Sequence, residues 1–231
     1  MKIKDSVVIV TGASMGIGEA VARALGDAGA KVVLAARSKD KLEAISKEIL
    51  GSFVVQTDMR KPEDIKALIA KTVNEFGRID ILINNAGQGL MNPIEDIDID
   101  DYTSIIELNV IGVLRAMQAV IPIMRKQGGG MIQNVSSLVS KNYFTELAAY
   151  SSTKYALNAL TLTARAELAP DNIVVSVFHP KMTTTNFGFN TLGEKYDSRA
   201  GRPGAGVDSA EDVAKAMLRQ IELEEAEAGM W

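Results

Sequence analysis

Residues 11–18 of this chain read Thr-Gly-Ala-Ser-Met-Gly-Ile-Gly, and their neighbours leave little freedom in how they fold. Ser6 to Val10 forms a short apolar run that ends at Thr11. After the cluster, Ala20, Val21, Ala24 and Leu25 repeat at helical spacing. A strand, a glycine turn and a helix in direct succession are what a phosphate-binding turn requires. Gly12, Gly16 and Gly18 remove side chains where backbone must approach a pyrophosphate. The helix start supplies N–H groups and the positive end of a dipole. The spacing is T-G-x-x-x-G-x-G rather than G-x-G-x-x-G, because Val21 fills the last position of the latter.

The same alternation continues. Lys31–Ala36, Phe53–Gln56, Ile79–Ile83, Met131–Val135 and Ile173–Phe178 read as further strands. Amphipathic patterns separate them: Leu42, Ile45 and Ile49; then Pro62 opening a helix with Ile65, Leu68, Ile69, Val73 and Phe76 on one face, closed by Gly77. This predicts one α/β domain over residues 1–231, a doubly wound parallel sheet with helices on both faces. Six strands are expected; nothing after the last helix, about Ser209 to Glu224, shows a strand pattern, so no seventh is expected. One continuous helix is predicted from about Asp100 to Arg125, apolar on nearly every side and therefore buried. Asn109 is the odd polar residue within it and must find a hydrogen-bond partner. Residues 186–208 form a glycine-rich polar stretch carrying Phe187, Phe189 and Tyr196, long enough to suggest a lid over a substrate.

Composition narrows the chemistry. The chain of 231 residues has 47% hydrophobic residues, no cysteine and one histidine. Thiolate catalysis and disulfides are excluded, and no metal site is expected. A net charge of −4 argues against a nucleic-acid or anionic-membrane partner. The opening apolar run is too short for a signal peptide or a membrane span, which suggests a cytoplasmic protein.

Tyr150-Ser-Ser-Thr-Lys154 lies in a further helical pattern. Positions four apart share a helix face, so the phenol and the ammonium point into one space. A fixed cation ~5 Å away at an effective dielectric of ~20 would favour the phenolate by ~3 kcal/mol, roughly two pKa units. That would bring tyrosine into the range of a proton-transfer catalyst. With five tyrosines in the chain, this spacing carries little weight by itself.

TGASMGIG, Asn84-Asn-Ala-Gly87, Asn109, Ser137 and YSSTK stand in order, each at a strand end or on the following helix, and Ser137 lies thirteen residues before Tyr150. Together they resemble the short-chain dehydrogenase/reductase family over residues 5–225. The resemblance implies a Rossmann-type fold and an NAD(P)-dependent oxidoreductase, with the catalytic tetrad Asn109, Ser137, Tyr150 and Lys154. It implies Tyr150 as proton donor, Ser137 as donor to the same substrate oxygen, and Lys154 on the nicotinamide ribose. Asn109 would fix a water that links Lys154 to solvent. The cofactor would meet Gly12, Ser14, Met15, Gly16, Ile17 and Gly18. It would also meet Asp58 at the adenine edge, Asn85, Ala86 and Gly87 along the adenosine half, and Pro180, Thr183 and Thr185, the last at the carboxamide or the phosphates.

An acidic residue after the second strand would favour NAD; here Arg37 and Ser38 stand instead, so NADP(H) is preferred with NAD(H) as the alternative. Met15, where many NADP-preferring relatives carry a base, pulls the other way. Lys181 replaces the glycine that commonly follows Pro180, and His179 matches no catalytic position. The family resemblance also implies a homodimer through the helices carrying Asn109 and Tyr150, with a tetramer disfavoured by the missing seventh strand. Leu90, Met91, Val139, Tyr143, Phe144, Met182 and Phe187 are the expected pocket walls, suiting a neutral, partly hydrophobic carbonyl or alcohol. The competing reading is a catalytically silent nucleotide sensor on the same fold.

Overall fold

The computed structural model describes residues 1–185, 187–193 and 207–230. Its main sheet contains β1 (Val7–Thr11), β2 (Lys31–Ala36), β3 (Phe53–Gln56), β4 (Ile81–Asn84), β5 (Gly130–Val135), β6 (Ile173–His179) and β7 (Glu227–Gly229). All pairings are parallel, in the order β7-β6-β5-β4-β1-β2-β3. The chain therefore winds outward in one direction from β1 and in the other from β4. The crevice outside the strand ends at that reversal is where such sheets bind ligands.

Side chains in β1 alternate between two cores. Val8 and Val10 face α1 (Gly16–Asp27), α2 (Lys39–Ser46) and α7 (Ala210–Leu223). Val7 and Ile9 face α3 (Pro62–Phe76), α5 (Gly112–Gln127) and α6 (Ala148–Leu168). Both faces being covered explains why β1 is buried at every position. The helical run Ile99–Gln127 is long and apolar enough to cross a membrane, yet its Val113, Ala116, Val120 and Met124 lie in the second core.

Seven strands, not six, make the sheet. β7 is the short sequence Glu-Ala-Gly, with no alternation and no β-branched residue, so no local pattern announces it. It forms because β6 would otherwise leave an unpaired edge. Glu227, Ala228 and Gly229 align with Val177, Phe178 and His179. The Val177 N–H donates to Ala226 O (3.0 Å), and the Met230 N–H to His179 O (3.1 Å). Gln220, buried on α7, secures the approach by donating to Val177 O (2.9 Å) and Glu225 O (3.2 Å).

The long helix also differs in detail. α4 (Ile99–Ile106) passes into a π turn at Glu107–Ile111 before α5 begins. The wider turn accommodates one extra residue, and Asn109 lies within it, fully buried.

Candidate active site

A cleft of about 1210 Å³ opens at the strand ends, larger than the ~300–1,000 Å³ of a site for one small ligand. Among the residues singled out in the sequence as catalytic or cofactor-binding, all but Asn109 line it. Its floor is the turn between β1 and α1. Gly12 and Gly16 take φ of 69° and 58°, which only glycine adopts without strain. A Cβ at Gly18 would lie 2.3 Å from Gly12 O and 2.4 Å from Asn85 Nδ2, so the helix and the turn touch backbone to backbone. No side chain caps the start of α1. Its N–H groups face the cleft, a donor set that fits a pyrophosphate.

Thr11 braces this floor and was not singled out from the sequence. Its hydroxyl accepts from the N–H groups of Asn85 (3.0 Å) and Ala86 (3.1 Å), and Asn85 Nδ2 donates to Thr11 O (3.0 Å). At the far end, Arg37 lines the cleft, and among the described residues its guanidinium has no hydrogen-bond or ion-pair partner. Asp58 accepts from the Arg60 N–H (3.0 Å) and lies 3.9 Å from its guanidinium. Arg60 in turn donates to Gln88 Oε1 (2.6 Å). Arg60 went unnoticed in the sequence because a polar loop residue follows no spacing rule. Met15 offers no charge here; its sulfur accepts from Asn190 Nδ2 (3.3 Å).

Across the cleft, α6 presents Tyr150 and Lys154 one turn apart. Lys154 is 4% exposed, lies 5.7 Å from the centroid of the Tyr150 ring, and donates to Val135 O (2.9 Å). Burial pushes its ammonium down to about 8. Burial also pushes the Tyr150 phenol above its usual value, while hydrogen bonding with Ser137 pulls the other way. The expectation that Lys154 lowers the phenol is thus corrected for this arrangement. The ammonium is directed at a carbonyl and the ring face, not at the hydroxyl, so enclosure decides the direction.

Ser137 follows β5, with extended backbone, and its hydroxyl accepts from the Val139 N–H (3.3 Å). Asn109 stays behind the cleft wall. Its Oδ1 accepts from the Gln88 N–H (2.9 Å), while Nδ2 donates to Gln88 O (2.9 Å) and Thr153 Oγ1 (3.1 Å). A Cβ on Gly87 would sit 3.3 Å from Asn109 Oδ1 and 3.6 Å from Lys154 Nζ; its absence keeps a small space between them.

Of the expected pocket walls, Met91, Val139, Phe144, Met182 and Phe187 line the cleft. Leu90 does not, being wholly buried in a cluster with Ile105 and Ala149. Tyr143 is 93% exposed and stacks on Tyr155 instead. Within the stretch expected as a lid, residues 187–193 pack against the loop after β4. Leu192 pairs with Leu90, and the Phe187 ring lies 5.8 Å from that of Tyr150. Residues 186 and 194–206, including Tyr196, fall outside the described residues. Thr183 pairs with Asp208, and Thr185 lies against Gly16. Lys181, the unusual residue after Pro180, pairs with Asp208 (3.3 Å).

A doubly wound parallel sheet with an uncapped glycine turn facing a Ser-Tyr-Lys cluster defines an oxidoreductase built on a Rossmann fold. The profile of the short chain dehydrogenase family matches residues 6–194, and the chain belongs to that family. It is 41% identical over 187 residues to an uncharacterised oxidoreductase of Staphylococcus saprophyticus, covering 79% of this chain and 76% of that one. Among solved structures, it resembles an alcohol dehydrogenase of the archaeon Thermococcus sibiricus complexed with 5-hydroxy-NADP. There the TM-score is 0.86 with 30% identity, over 98% of this chain and 96% of that one. It also resembles a 3-ketoacyl-(acyl-carrier-protein) reductase of Brucella melitensis complexed with NADH, with TM-score 0.89 and 28% identity over the same shares.

Proposed function

We propose that the protein is an NADP(H)-dependent carbonyl reductase or alcohol dehydrogenase acting on neutral, partly hydrophobic substrates. The observation that carries this reading is the meeting of Ser137, Tyr150 and a buried Lys154 on one wall of a cleft, with a glycine turn as its floor. The α1 turn would hold the pyrophosphate, and Lys154 the nicotinamide ribose. Arg37 and Ser38 would take the 2′-phosphate. The nicotinamide, when bound, supplies or accepts the hydride.

The chain's own residues handle the oxygen. Tyr150 carries its proton at neutral pH, as a phenol ordinarily does, and takes the role of donor to an oxygen gaining negative charge. Ser137 donates to the same oxygen and stabilises that charge. The Lys154 ammonium adds a positive charge beside the phenol as its proton leaves. Asn109 closes the wall behind Lys154 by tying Gln88 to Thr153. Met91, Val139, Phe144, Met182 and Phe187 give the substrate side an apolar lining with few charges.

The test is NADPH oxidation against a panel of ketones, aldehydes and 3-oxoacyl thioesters. Turnover with at least one supports the reading. Tight NADPH binding without turnover on any would favour the silent nucleotide sensor.

A further inference from the structure

Phe187, Phe144 and Met182 leave an apolar surface uncovered in the cleft. They line it while remaining 39%, 49% and 49% exposed. Uncovered apolar surface inside a cavity marks where a ligand is covered in turn. The loops after β4 and β5, which bring Met91, Val139 and Phe144 to the cleft, bring no charged side chain with them. Lys181, next to Met182, is paired with Asp208 (3.3 Å). Among the described residues, a carboxylate or phosphate lying against this surface would meet no unpaired cation beside it, so the group that covers it is apolar.

Phe187 is the member of this surface nearest the chemistry. Its ring centroid lies 5.8 Å from that of Tyr150, with the rings inclined at 50°. Its backbone is tied on both sides. The N–H donates to Thr185 Oγ1 (3.2 Å), and the carbonyl accepts from the Asn190 N–H (3.0 Å) and the Thr191 hydroxyl (3.3 Å). Gly89 forms the seat of the ring. A Cβ there would lie 3.2 Å from Phe187 Cε1 and 2.8 Å from Thr191 Oγ1. The missing side chain lets the ring edge settle on backbone beside the proton donor, while its exposed surface faces the cleft. An aromatic ring has a negative face and a positive rim, so a second ring placed offset or edge-on gains more than the area it buries. A saturated ring of equal size gains the area alone. The thioether of Met182 favours an aromatic neighbour for a related reason.

We propose that Phe187, seated on Gly89, is the specificity-determining residue of the substrate site, and that the preferred substrates are uncharged ketones or alcohols bearing an aromatic ring a few bonds from the reacting carbon. This rests on the reductase reading above and narrows its substrate class, from partly hydrophobic to aromatic.

The experiment compares benzylacetone with its counterpart in which the phenyl ring is replaced by cyclohexyl. The two share a carbon skeleton and a methyl ketone, and the ring is too distant to alter the reactivity of the carbonyl. Burial alone favours the cyclohexyl compound, which is the more hydrophobic. Affinities are measured by calorimetry on the protein–NADP+ complex, where no hydride can pass, for wild type, Phe187→Leu and Gly89→Ala. Leucine keeps apolar bulk without a ring; alanine presses a methyl into the ring's seat. Wild type should bind benzylacetone about three- to tenfold more tightly, the worth of a ring pair. Phe187→Leu should bring the two affinities within about twofold of each other, and Gly89→Ala should reduce the preference in the same direction. Equal affinities in wild type would overturn the proposal, as would a preference that survives in Phe187→Leu. A Phe187→Leu variant that weakens NADPH binding and keeps the ketone preference would also overturn it, by giving the ring to the cofactor. Should Gly89→Ala not fold, Phe187→Leu decides. Turnover of the two ketones with NADPH, measured separately, tests the reductase reading: binding without turnover counts against that reading, while the affinity ratio still judges the ring preference.

Discussion

Lys154 is held against its own solvation. Its folded-state pKa of about 8 lies below the ordinary 10.5, so keeping it charged in the fold costs about 3 kcal/mol at neutral pH. Between those two values the unfolded chain binds a proton that the folded chain has released, so raising the pH through this window stabilises the fold. Lys154→Met should therefore be more stable than wild type at pH 7 by about 1–3 kcal/mol, after loss of the bond to Val135 O, while losing turnover. That gain should shrink as the pH rises from about 8 toward 10.5. Chemical denaturation of both proteins across this range measures it; a gain that grows with pH would contradict the assignment of cause. Arg37 is the second residue with a sharp expectation. With no carboxylate paired to it among the described residues, Arg37→Ala should raise KM for NADPH by about tenfold or more, the loss of one charge-assisted contact, and leave KM for NADH nearly unchanged. Equal effects on both cofactors would remove Arg37 from the 2′-phosphate site.

The elements differ in how plainly the sequence announced them. β1 to β6 came from apolar runs, and the glycine turn from residues whose missing side chains are a local fact. β7 could not be read this way, because Glu-Ala-Gly is a strand only by virtue of the β6 edge beside it. The π turn at Asn109 was equally silent, since Leu108, Val110 and Ile111 carry the apolar pattern on either side of the asparagine and nothing in it marks a change of pitch. Tyr150 and Lys154 were placed on one wall by helical spacing alone. Their electrostatics were not legible, because burial is a property of the packed fold. Leu90 and Tyr143 were misplaced as pocket walls for the same reason: in loops, spacing does not decide which way a side chain turns. The turn itself can be tested. Gly18→Ala would press a methyl into Gly12 O and Asn85 Nδ2, the latter held by its bond to Thr11 O. It should destabilise the fold by about 1–3 kcal/mol and weaken cofactor binding, read by melting and by NADPH titration. Wild-type values for both would show that helix and turn are not in contact.

At the scale of the whole molecule, the argument for stopping at a dimer lapses with the missing strand it rested on, since β7 is present. We propose assembly through the outer faces of α4–α5 and α6, where Tyr155 and Leu162 remain more than a third exposed. Light scattering should give a mass of at least twice the 24.8 kDa chain, and Leu162→Asp should lower it. A monomer in wild type would contradict this. The claim on which the account turns is hydride transfer to a carbonyl carbon with Tyr150 supplying the proton. NADPH deuterated at the transferable position, incubated with an accepted ketone, measures it directly. The account predicts deuterium on the carbinol carbon of the product, and a loss of at least about 10²-fold in that rate for Tyr150→Phe with NADPH binding retained. An alcohol product without deuterium, or a phenylalanine variant that turns over at the wild-type rate, would contradict it.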